Sequence, residues 1–378
     1  MRKSLMRKLG FRVACPLFVS LALSSHAQVT LSPLSSFGGG DGWLAPGEGG
    51  YAFLGTGNNE RGLAFGNGHL YLVSRSGGNN IRILDSVTGT DLGSLNNSII
   101  TGGTFPVNMV GVGGDGVIYV ANLTTQSTTS PYKVYSWATE GSVPTVAYSG
   151  NGGLAGVRLG DSFAARGSGN STMLAAGYNS SPAVAGNNGF ATIDPTAASA
   201  TAVGFVGTPP NAGDFRLGLS FIDSSHLIGT AGSSLYRYAS FSGASGTLLG
   251  SPAIPDPSGA TADRLLAYAV VGGKALLAVQ SIGDSHVTIY DETDPANPIY
   301  LASGNNTSGS LTANGNGTGE IAWGNTTVNP DGSVTATLYA MSSNQGIQAF
   351  LVTVPEPGSL AILALGLGAF GLRRKLRK

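Results

Sequence analysis

The chain has 378 residues, of which 42% are apolar and 11% charged, and aromatic and β-branched residues run through its whole length, which argues against disorder. Its formal charge of zero conceals an asymmetry. Five basic residues lie within residues 1–12 and five within 373–378, so residues 28–354 hold 10 Lys+Arg against 19 Asp+Glu, a balance of −9 that argues against a nucleic-acid partner.

At the front, Arg2, Lys3, Arg7, Lys8 and Arg12 precede an apolar stretch from Val13 to Leu23. Ser25-His26-Ala27 then supplies small residues at the −3 and −1 positions, predicting a signal peptide over 1–27 that signal peptidase cuts between Ala27 and Gln28. The one cysteine, Cys15, opens the apolar stretch rather than following it, as a lipoprotein cysteine would. The remaining body has no cysteine and must be held by packing and hydrogen bonds.

Residues 28–353 carry a faint repeat. An apolar, a small and a usually large apolar residue recur as Leu63-Ala64-Phe65, Val110-Gly111-Val112, Phe163-Ala164-Ala165, Leu219-Ser220-Phe221, Leu266-Ala267-Tyr268 and Ile321-Ala322-Trp323. The central residues stand 47, 53, 56, 47 and 55 positions apart, a period that points to repeated supersecondary units. After each triplet come a second apolar run, as at His69 to Ser74, and a third that alternates, as at Val287 to Asp291. Fourth strands fit near Leu92 to Leu95, Thr145 to Ser149, Ala202 to Val206, Thr247 to Leu249 and Ile299 to Ser303. Period-two alternation between Gly, Asn and Asp turns indicates half-buried antiparallel strands.

The sixth repeat lacks a fourth strand, and Val29 to Phe37 is placed to supply it. The expected fold is therefore all-β, a six-bladed β-propeller closed by an N-terminal strand, since closure hides edges that would otherwise aggregate. A seven-bladed count would enlist Tyr51 to Leu54, and a β-helix or sandwich is the rival fold. The architecture resembles NHL-like and YVTN-like propellers without their diagnostic repeat motifs.

Glu60, Asn108, Asp161, Asp214, Asp263 and Glu320 stand just before the innermost strands, one from each repeat. Facing the axis, they would ring one mouth of a channel and offer a hard cation such as calcium the oxygen ligands it prefers. Their offsets from the triplets vary, and the competing reading is of loop carboxylates paired with Arg61, Arg216 and Arg264. His69, His226 and His286 occupy no equivalent position, and no residue set suggests catalysis.

The chain ends with Val354-Pro355-Glu356-Pro357, an uncharged apolar run over 358–372, and Arg373-Arg374-Lys375-Leu376-Arg377-Lys378. Fifteen helical residues reach about 22 Å, short of a ~30 Å hydrocarbon core unless flanking residues help. The basic end should stay cytoplasmic, leaving the body on the far side. Residues 354–378 resemble the PEP-CTERM sorting signal, a Pro-Glu-Pro motif followed by a short transmembrane helix and a basic end. The resemblance implies that an exosortase recognises Pro355, Glu356 and Pro357, in bacteria that usually make exopolysaccharide; an ordinary C-terminal membrane anchor is the alternative. The expected role is a non-enzymatic surface or matrix protein whose propeller binds extracellular polysaccharide or other surface partners, with no obligatory cofactor. A secreted metal-dependent hydrolase or lyase is the alternative.

Overall fold

Short segments of alternating polarity, separated by tight turns, build the body almost wholly from antiparallel strands. The computed structural model describes residues 28–230, 235–254 and 262–356. The predicted signal peptide and the predicted helix at 358–372 lie outside the described residues, and among those residues no helix is long and apolar enough to cross a membrane.

The strands run β1 (Thr30–Pro33), β2 (Trp43–Leu44), β3 (Glu60–Gly66), β4 (His69–Ser74), β5 (Asn80–Asp85) and β6 (Asp91–Ser94). Next come β7 (Phe105–Val112), β8 (Ile118–Leu123), β9 (Tyr132–Trp137), β10 (Thr145–Gly150), β11 (Ala164–Arg166), β12 (Met173–Gly177), β13 (Phe190–Asp194) and β14 (Ser199–Phe205). Then follow β15 (Gly218–Phe221), β16 (His226–Thr230), β17 (Arg237–Ser242), β18 (Ser245–Gly250), β19 (Asp263–Val271) and β20 (Lys274–Ser281). The last are β21 (Val287–Asp291), β22 (Ile299–Gly304), β23 (Gly319–Val328), β24 (Val334–Ser342) and β25 (Ile347–Val354).

Strands β3 to β6, β7 to β10 and β19 to β22 each form a four-stranded antiparallel meander. Two further meanders, β11 to β14 and β15 to β18, merge into one eight-stranded sheet, because their outer strands meet in parallel with Gly204 opposite Ser245 and Phe205 opposite Gly246. The final sheet draws on both ends of the body. Strand β1 lies antiparallel to β25, with Thr30 opposite Thr353, and β2 extends the same flank with Trp43 opposite Gln348. No strand forms at Tyr51 to Leu54, which a seven-blade count would require; Phe53 and Leu54 are instead buried in an apolar cluster with Leu63 and Leu72.

Successive meanders stack face to face. Tyr71, Val73 and Ile81 of the first meet Val120, Tyr135 and Trp137 of the second. Leu63, Leu70 and Leu84 of that first meander also meet Tyr339, Met341 and Ile347 of the last sheet, which closes the succession into a propeller-like ring. Each such side chain contributes about 1.5–3 kcal/mol when removed from water. Polar tips of the buried aromatics are satisfied across the seams: Trp137 Nε1 donates to Asn96 O at 2.8 Å and Tyr339 Oη to Ser86 O at 2.7 Å. Strands β3, β7, β11, β15, β19 and β23 lie innermost, where space is tight. A Cβ on Gly62 would fall 2.6 Å from Val110 N of the neighbouring innermost strand, a contact that something must shift to relieve.

Candidate binding site along the innermost strands

The six predicted triplets surround one cavity of about 430 Å³, lined by Leu63, Phe65, Val112, Phe163, Phe221 and Trp323 among other members of the same triplets. Its charged neighbours are Arg166 and Glu320. Burial alone pushes the Glu320 carboxyl well above its ordinary range, and its buried Oε2 has no hydrogen-bond partner.

A larger cavity of about 700 Å³ opens where the innermost strands begin. Arg61, Arg75, Arg158 and Arg216 line it, together with Asn58, Asn59, Asn79, Thr104, Phe105 and Thr125. Arg158 is held by a two-pronged contact, Nε and Nη2 each 2.7 Å from an Asp161 oxygen, while Asn179 Nδ2 donates to the same carboxylate at 3.0 Å. Arg61, 7% exposed, donates from Nη1 to Thr318 Oγ1, but its buried Nε meets no acceptor. Arg75 leans over Phe105, its guanidinium carbon 3.6 Å from the ring centroid, and donates from Nη2 to Asn58 O at 2.9 Å. Its Nε and Nη1 are buried without acceptors.

The charges in this cavity feel one another. Burial, and then the Arg61 charge, bring the Arg75 guanidinium down to about 10. Burial lowers Arg61 as well, opposed by the Asp161 carboxylate and reinforced by Arg158. Arg264 stands close behind: burial and then the Arg216 charge lower it, and its Nε has no acceptor. It rests against Gly317, whose φ of 64° suits glycine and where a Cβ would sit 2.1 Å from Arg264 Nη1.

The six residues predicted to ring a cation do not share a space. Asn108 and Asp161 line the arginine cavity and Glu320 lines the apolar one, while Glu60, Asp214 and Asp263 line neither. Glu60 accepts from Gly55 N at 2.9 Å, and burial raises its carboxyl despite that bond. Asn108 donates to Gly160 O. Asp214 accepts from Arg237 Nε at 2.7 Å, so Asp161 and Asp214 pair with Arg158 and Arg237 rather than with Arg61, Arg216 or Arg264. Among the described residues no group of three or more His, Cys, Asp or Glu side chains is placed to hold a metal ion. The histidines stay apart in role: His69 Nδ1 lies 2.7 Å from Glu140 and His226 Nδ1 2.9 Å from Asp223.

Sequence reasoning missed the arginine cavity, although a trace of it was present. A basic residue stands three to six positions before the central small residue in four repeats, as Arg61, Arg158, Arg216 and Arg264. Arg75 follows β4 and shares no such offset.

Comparison with known proteins agrees with the fold and the tail. Residues 48–233 match a domain of unknown function, DUF4623, and residues 353–375 match the PEP-CTERM protein-sorting motif. That motif implies a secreted or surface-exported protein processed by an exosortase. Among curated proteins none matches the chain. A DUF4623 family protein from Bacteroides eggerthii is similar in structure, with 16% identity, a TM-score of 0.57, and coverage of 80% of this chain and 72% of that one. AofleA from Arthrobotrys oligospora aligns with a TM-score of 0.47 at 11% identity over 81% of this chain and 86% of that one. A protein from Lactobacillus plantarum aligns with a TM-score of 0.42 at 17% identity over 79% and 86%.

Proposed function

We propose that this chain, whose C-terminus carries the PEP-CTERM sorting motif, is a non-enzymatic surface or matrix protein whose ring serves as a binding platform for extracellular polysaccharide. The observation that carries the reading is the 700 Å³ cavity at the head of the innermost strands, lined by arginine, asparagine and threonine side chains. Such a wall offers many hydrogen-bond donors to a hydroxylated ligand, held on a rigid sheet scaffold.

In this reading signal peptidase cuts between Ala27 and Gln28, the helix at 358–372 holds the precursor in the inner membrane, and exosortase acts at Pro355-Glu356-Pro357. The body is a six-bladed propeller. What supports six is that the eight-stranded sheet divides into two meanders, so the sheets supply six innermost strands.

The test is retention of the full chain on immobilised extracellular polysaccharide, with the soluble fraction assayed for new sugar ends. Retention without new ends is the expected result. New reducing or unsaturated ends would instead establish a hydrolase or lyase.

A further inference from the structure

We propose that the arginine-lined cavity recognises the oxyanion groups, carboxylate or sulfate, of an acidic polysaccharide. The inference rests on the platform reading above and names its ligand class. Residues 28–354 hold 10 basic residues, and four of them converge on this one cavity. The carboxylate lining it, Asp161, is engaged by Arg158. Arg61, Arg75 and Arg216 therefore face the cavity as an excess of positive charge in a body that is otherwise acidic.

Guanidinium groups remain charged in proteins, and burying their N–H donors without acceptors is unfavourable. Arg61 Nε, Arg75 Nε and Arg75 Nη1 are in that condition beside the cavity. A carboxylate or sulfate presents two or more anionic oxygens and so satisfies such donors in pairs, which a neutral hydroxyl cannot do. The amides of Asn58, Asn59 and Asn79 and the hydroxyls of Thr104 and Thr125 are suited to the remaining sugar hydroxyls. The negative balance of the rest of the body does not forbid an acidic ligand, since exposed charges beyond roughly 8 Å are screened at physiological salt.

Titration calorimetry on the full chain in detergent, with oligogalacturonate, a sulfated oligogalactan and an uncharged oligogalactan of equal length, tests this. One or both acidic oligomers should bind, ever more weakly as salt rises, and the uncharged one at least roughly tenfold more weakly. Whichever acidic oligomer binds identifies the oxyanion. Arg75→Ala and Arg216→Ala should each weaken acidic binding roughly tenfold, a change of about 1.4 kcal/mol. Arg82→Ala, which breaks a pair with Asp91 outside the cavity, should leave binding unchanged. Arg216→Lys keeps the charge but not the planar fork, so it should bind at an intermediate level even if the alanine variant folds poorly. Equal binding of the uncharged oligomer, indifferent to the arginine variants, overturns the anion assignment and leaves the platform standing. Binding of none of the three overturns both.

Discussion

The cavity where the innermost strands begin is faced by Arg61, Arg75, Arg158 and Arg216, whereas the cavity farther along the same strands is faced by Leu63, Phe65, Phe163, Phe221 and Trp323. One set of strands builds both. The difference comes from where each residue falls on the strand. The triplets lie on or at the edge of the innermost strands, and their apolar side chains fill the smaller cavity. The arginines lie at strand starts and in loops, from which their long side chains reach a common opening. Electrostatics follow the same division: guanidinium groups neighbour one another in the larger cavity, while burial alone raises the Glu320 carboxyl beside the smaller one.

Breaking the scaffold that the cavities share should produce the largest effect. Leu338 is fully buried on β24, and Leu338→Ala should cost about 2–5 kcal/mol, read as a lower urea midpoint with ligand binding lost in parallel. A retained midpoint would separate the cavities from the core. Next, Asp161→Asn removes the partner of Arg158 and should cost about 1.5–3 kcal/mol in the same assay. It also adds net positive charge to the arginine cavity, so acidic oligomers should bind more tightly to whatever fraction remains folded.

The apolar cavity is probed through its acid. Glu320→Leu should stabilise the fold by about 1–3 kcal/mol at neutral pH, because it removes a carboxyl oxygen, Oε2, that is buried without a hydrogen-bond partner. Glu292, buried between the fourth and fifth meanders against Tyr236, supplies a related test. Burial raises its carboxyl from 4.5 to about 8. Between those values the unfolded chain releases a proton that the folded chain keeps, so stability falls as pH rises, by at most about 1.4 kcal/mol per pH unit. Glu292→Gln should flatten that slope in melting temperatures measured from pH 4.5 to 8. The smallest change is expected for Arg82→Ala, whose half-buried pair with Asp91 is worth about 1 kcal/mol or less and touches neither cavity.

Strand positions were largely legible in the sequence. The apolar run His69–Ser74 and the alternating run Val287–Asp291 form strands with the predicted bounds, and all six triplets meet around one cavity. Alternation reports which side of a strand faces apolar surroundings, and that side is shared through each sheet. The site was legible only in part. Glu60, Asn108, Asp161, Asp214, Asp263 and Glu320 share a rough distance from the triplets, but Asp161 and Asp214 lie in loops and the other four within strands, so they meet different neighbours. Asp214 turns to Arg237 and Asp161 to Arg158, while Glu60 caps the amide of Gly55. A periodic pattern carries no information on such local turns, and none on Arg75, which reaches the cavity by lying across Phe105.

Strand β25 ends at Val354, immediately before the Pro-Glu-Pro motif, and it is flanked by β24 on one side and by β1 and β2 on the other. A pull exerted through the tail would therefore run lengthwise down a strand gripped on both sides, loading many hydrogen bonds in shear at once instead of peeling them apart singly. The clasp that joins the two ends of the body is thus also the part that tension on the tail would load first.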